Sequence, residues 1–132
     1  FGEEDLRYGL RENVKGNQLA KTPEFTADVS LMYETDLPSG NYLTAMLQYV
    51  KRGKFMQRVS NNPVVDAIPA YDILNLNIGI DFNNNIGLDM MLLNVTDEDG
   101  INSSMTDVFG VASTGLELIP PRQFMTRISY NF

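Results

Sequence analysis

The stretch that decides the fold is residues 120–132, PPRQFMTRISYNF. From Phe124 the side chains alternate without a break. Phe124, Thr126, Ile128, Tyr130 and Phe132 fall on one side, and Gln123, Met125, Arg127, Ser129 and Asn131 on the other. Successive side chains of a β-strand point to opposite faces, so this pattern predicts a strand over 122–132 with an apolar and a polar face. The chain stops on an aromatic ring, with no polar tail after it.

Four further stretches upstream read the same way. Over 86–95, Ile86, Leu88, Met90 and Leu92 oppose Gly87, Asp89, Met91 and Leu93. Over 70–82, Leu74, Leu76, Ile78, Ile80 and Phe82 oppose Asn75, Asn77, Gly79 and Asp81. Over 41–51, Leu43, Ala45, Leu47 and Tyr49 oppose Thr44, Met46, Gln48 and Val50, a weaker polar face. Over 27–35, Ala27, Val29, Leu31 and Tyr33 oppose Asp28, Ser30, Met32 and Glu34. Residues 36–40, DLPSG, and the asparagines 83–85 carry turn residues, and each is short enough to close a hairpin. Residues 52–69 and 96–121 read as long irregular connections. Residues 1–26 read as loop, with Leu6, Tyr8 and Leu10 marking one short strand.

The chain is of single-domain length, 132 residues, with a net charge of −7, no histidine and no cysteine. It has no basic patch to meet nucleic acid. It lacks the commonest general base and metal ligand, and any thiolate chemistry. No apolar run is long enough for a transmembrane helix, but a transmembrane strand needs only about 9–11 residues, every second one apolar. Beginning at Phe1, the chain reads as a processed or truncated product. Chemistry is sparse. Residues 97–100, DEDG, look like part of a calcium loop, but Val108 stands where the pattern needs a glutamate. Asn94 and Asn102 open short glycosylation-type sequons. Asp28, Asp81 and Asp89 read as solvated residues of a polar wall rather than paired acids. The sequence shows no nucleophile–base set, phosphate loop or zinc set, and the chain reads as a non-enzyme without a cofactor.

Two architectures give this alternation. A soluble β-sandwich or lipocalin-like module would turn the apolar faces inward. An outer-membrane barrel would turn them to lipid and the polar faces to the lumen. Three features favour the barrel. Short turns alternate with long connections, as the periplasmic turns and external loops of such barrels do. The apolar faces read as free of charge. Aromatics gather toward both ends of the strands, with Tyr33, Tyr42, Phe82, Tyr130 and Phe132 at one and Tyr49, Phe55, Tyr71 and Phe124 at the other, as two interfacial girdles would.

Five short stretches also carry a family likeness. They are GNQLAKTP at 16–23, IPAYDILNL at 68–76, LLNVTD at 92–97, PRQF at 121–124 and YNF at 130–132. In that order and spacing, the chain resembles the C-terminal part of a TonB-dependent outer-membrane receptor, over about residues 16–132. The resemblance implies an all-β, antiparallel, up-and-down sheet, the last five or so strands of a barrel of about 22. It implies the outer membrane of a Gram-negative bacterium. Val29, Leu31, Leu43, Leu47, Leu74, Leu76, Ile78, Ile80, Leu88, Met90 and Leu92 would then face lipid. Phe124, Ile128, Tyr130 and Phe132 would form the signal read by the barrel assembly machinery. It further implies uptake of a scarce solute (a ferric siderophore, cobalamin, haem or an oligosaccharide), energised through TonB. Other partners would be the rest of the barrel and its plug domain. Residues 53–68 and 98–118 would be the loops to meet the solute. The plug and the TonB-contacting box of that family are absent from this sequence, and five strands fall short of the about eight of the smallest membrane barrels. A non-energised, porin-like barrel is the remaining alternative.

Overall fold

The computed structural model describes residues 13–106 and 114–132, so the expected short strand at Leu6–Leu10 lies outside the described residues, as does the middle of the 98–118 loop. Among the described residues the chain is all-β and every sheet is antiparallel.

Five long strands form one open sheet in the order β1-β2-β5-β6-β9. They are β1 (Thr26–Asp36), β2 (Tyr42–Arg52), β5 (Tyr71–Asp81), β6 (Ile86–Leu93) and β9 (Gln123–Tyr130). Each strand pairs with the next long strand along the chain, so the topology is the expected up-and-down meander. Both short turns and the end of β9 lie at one end of the sheet, here the turn end. Asn83 ties the two turns together: its Nδ2 donates to Ser39 O at 3.2 Å and its N–H to Asn41 Oδ1 at 3.2 Å. Asn85 adopts φ 67°, a left-handed angle that asparagine tolerates, and its carbonyl accepts the Asn131 N–H at 2.9 Å.

The long connections lie at the opposite, loop end, and they are not irregular throughout. The first holds a two-residue ladder, β3 (Phe55–Met56) with β4 (Ala67–Ile68). The second holds a hairpin, β7 (Ile101–Thr106) with β8 (Thr114–Leu118), which pairs with a bulge between Ile101 and Ser103. The expectation of loop there was wrong because INSSMT shows no period of two; Leu116 and Leu118 did alternate, but over too short a run to stand out.

The side chains buried among the described residues are Phe55, Asp66, Ile68, Tyr71, Asn94, Ser104 and Ile119. All lie in or against the long connections. The compact core is therefore a small one at the loop end. The apolar face of the five-stranded sheet is covered by no other element among the described residues.

Candidate functional site

The sheet's two faces are the candidate site, and the register defines them. Residues directly opposite on neighbouring antiparallel strands share a face. One row runs Leu31, Leu47, Leu76, Leu92, Phe124. The next toward the turn end runs Tyr33, Ala45, Ile78, Met90, Thr126, and Leu43, Ile80, Leu88 and Ile128 follow. Val29 and Leu74 flank Tyr49 on the loop side. All eleven residues expected to face lipid thus lie on one continuous surface, together with Phe124, Ile128 and Tyr130 of the last strand. On the edge strands Leu31 is 69% exposed, Ile128 74% and Phe124 67%, values at which an apolar side chain in water forgoes most of its burial energy, whereas the apolar side chains of this face on β5 and β6 are half-buried. Leu76, Ile78, Met90, Leu92 and Phe124 line a shallow groove of about 160 Å³ on this face. Tyr130 and Phe132 stack at 6.4 Å between ring centroids, giving the sheet an aromatic rim at the turn end.

Two expectations for this face need correction. It is not free of charge: Lys51 and Asp72 sit opposite one another on it, in the row nearest the loop end, because each is an odd step from the polar positions of its strand. The aromatic rim at the loop end is also thinner than expected. Phe55 and Tyr71 are 2% and 8% exposed, packed into the loop core instead. Phe55 lies under the Arg52 guanidinium at 4.5 Å, and the Tyr71 hydroxyl lies 3.3 Å from Arg52 Nη1. The register puts Tyr42 on the polar face.

The opposite face is mainly polar and cross-linked by side-chain hydrogen bonds. Asn75 Nδ2 donates to Gln48 Oε1 at 3.1 Å, and Gln48 Nε2 donates to Asp28 Oδ2 at 3.0 Å. Asn75 Oδ1 in turn accepts the Asn94 N–H at 3.0 Å, so one chain of hydrogen bonds runs from β1 to the end of β6. Arg127 grips Asp89 through Nη2 at 2.8 Å and Nε at 3.0 Å. Asp28, Asp81 and Asp89 occupy different rows, and the Asp89 carboxylate is taken up by Arg127. Along the row Met32, Met46, Asn77, Met91, Met125, four thioethers cross this mainly polar face, whose other aliphatic side chains, Val50, Ile73 and Leu93, lie toward the loop end; no periodicity within one strand reveals that row.

The loop end is built rigidly. Asn94, 3% exposed with φ 49°, donates from Nδ2 to Glu98 O and Pro120 O at 3.0 Å each and accepts the Glu98 N–H at 2.9 Å. It thereby closes the base of the second connection. Asp66, fully buried, does the same for the first. Its carboxylate accepts from the Arg58 guanidinium, from Ser60 Oγ at 2.8 Å and from the Asn62 N–H at 2.9 Å. Burial alone would raise its pKa, but these hydrogen bonds outweigh it and hold Asp66 below the ordinary carboxylate value. Glu117 on β8 is also lowered, by hydrogen bonds from Ser103 and Asn102. Asp97 is taken up by Arg122, whose N–H donates to Oδ1 at 2.9 Å. Among the described residues no three acidic side chains gather as a hard cation would require.

Comparison with protein-family models, with curated proteins and with solved structures returned no match.

Proposed function

We propose that this chain is a sector of an outer-membrane β-barrel of the TonB-dependent receptor kind, part of an energised importer of a scarce solute. The observation that carries the membrane part is the uncovered apolar face, continuous over five antiparallel strands. Its dimensions fit. Strands of 11 residues, such as β1, β2 and β5, rise about 36 Å and project about 28 Å at a tilt near 40°, against an apolar band of about 25 Å. Charge on this face is confined to the Lys51–Asp72 row at the loop end, where an interface would lie. A soluble sandwich would need a second layer over that face, and none of the described residues supplies one. The opposing face has the polar side chains a water-filled lumen requires. The transporter part rests on the resemblance of the motifs at 16–23, 68–76, 92–97, 121–124 and 130–132.

The test uses the native protein carrying this chain, reconstituted in lipid, with nitroxide labels placed one at a time along 74–80. Oxygen, which concentrates in the bilayer, should relax labels at Leu74, Leu76, Ile78 and Ile80. A water-soluble nickel chelate should relax those at Asn75, Asn77 and Gly79. Loss of that period of two, or water accessibility on both faces, rejects the barrel. Collapse of solute uptake on adding a protonophore separates the energised importer from a porin-like pore.

A further inference from the structure

The methionine row on the polar face is unlike its surroundings. The chain has seven methionines, and four of them, Met32, Met46, Met91 and Met125, fall in one transverse row with Asn77 at its centre. The adjacent row toward the turn end is Glu34, Thr44, Gly79, Asp89, Arg127, and the one toward the loop end contains Ser30, Gln48 and Asn75. The apolar side chains of this face, Val50, Ile73 and Leu93, lie toward the loop end, and among the described residues no second layer packs over the four thioethers. Met32 is 58% exposed and Met125 41%. Gap-filling, the usual work of methionine in a core, does not account for them.

The register makes two opposed pairs. Met32 faces Met46 on β1 and β2, and Met91 faces Met125 on β6 and β9. Directly opposed residues hold their Cβ atoms about 4.5–5.5 Å apart, and the unbranched side chain has three rotatable bonds, so both sulfurs of a pair can converge on one ion. Met46 and Met91 are separated by the whole of β5, about 10 Å, which is too far to share one. Thioether sulfur is a soft, uncharged donor that selects soft monovalent ions over hard divalent ones.

We propose that these two pairs bind a soft monovalent metal ion of the Cu(I) or Ag(I) class, one ion at each pair. The inference rests on the strand register, not on the membrane reading. The two sites differ in field. Glu34 stands two residues from Met32 on the same face, whereas the Asp89 carboxylate near Met91 is already neutralised by Arg127. The Met32–Met46 pair is the tighter site.

The test is titration of Ag(I), which needs no reductant, into the native protein labelled with 13C at its methionine methyl groups. The methyl resonances of Met32, Met46, Met91 and Met125 should shift, with that of Met90 on the apolar face as the unmoved control. The conservative variant M32L/M46L should bind at least ~10-fold more weakly at the first site, a difference of ~1.4 kcal/mol. M91L/M125L should lose the second site and leave the first. Because leucine matches methionine in volume, both variants should keep the wild-type fold, checked by circular dichroism. Ag(I) shifts that survive in the fourfold leucine variant, or shifts no larger at the four row residues than at Met90, overturn the proposal.

Discussion

The sharpest consequence of an apolar face turned to lipid is that the cost of a charge must depend on depth. Leu76 lies at the middle of β5, between Leu47 and Leu92, all on the apolar face. Ile80 lies four residues toward the turn end on the same face, about 13 Å along the strand and so about 10 Å closer to the interface at a tilt near 40°. Arginine at the midplane of a membrane barrel costs about 2–4 kcal/mol and falls to about 0–1 near the interface. Leu76→Arg should therefore shift the unfolding equilibrium about 30-fold to several-hundred-fold, and Ile80→Arg about fivefold or less. Asn77→Arg, one residue from Leu76 but facing the other way, should cost less than about 1 kcal/mol. The assay is urea unfolding of the native protein from phospholipid vesicles, followed by far-ultraviolet circular dichroism. Equal costs at Leu76 and Ile80 would refute the reasoning, because a protein-filled core penalises a buried arginine wherever it is dry. A cost at Asn77 as large as that at Leu76 would refute the assignment of faces.

Three further outcomes are expected at the loop end. Asn94→Ala removes three side-chain hydrogen bonds and leaves alanine at a left-handed angle, so hydrogen exchange over 94–106 and 114–120 should quicken by an amount equivalent to about 2–3 kcal/mol, while Asn94→Gly, which relieves the backbone only, should lose slightly less. Because the folded pKa of Asp66 is depressed, its contribution is complete above the ordinary carboxylate value and fades as pH falls through the folded one; tryptic cleavage after Arg58, followed on samples pulsed at each pH, should rise only in that acid range, and Asp66→Asn should make it rise at neutral pH. A Cβ added at Gly100 would stand 2.7 Å from the Tyr71 ring, so Gly100→Ala should cost about 1–3 kcal/mol by differential unfolding, whereas Gly115→Ala, whose nearest neighbour is 3.8 Å away, should cost under about 0.5.

Much of the sheet is legible in the amino-acid sequence. The expected strands 27–35, 41–51, 70–82, 86–95 and 122–132 match β1, β2, β5, β6 and β9 to within two residues at each boundary, and the expected apolar residues share one face. The reason is local: a period of two over eight or more residues admits one pleated conformation and assigns every side chain to a face. The short elements were not legible. β3 and β4 are two residues each, stabilised by a loop core that gathers Phe55 and Ile68 across the connection. Asn94 and Asp66 carry no signal as residue types; what makes them structural is the convergence of backbone groups from other segments.

The sequence alone therefore determined that the chain is all-β, that its long strands are amphipathic, and where the hairpins turn. Only the tertiary structure decided which residues stand side by side across strands. It placed Lys51 against Asp72 at the edge of the apolar face, withdrew Tyr71 and Phe55 into the loop core, and drew four methionines from four strands into one row. The physical reason is that facing is set by torsion angles within a strand, whereas register is set by hydrogen bonds between strands, here anchored by the Asn83 contact between the two turns and by the Asn75–Asn94 link at the other end.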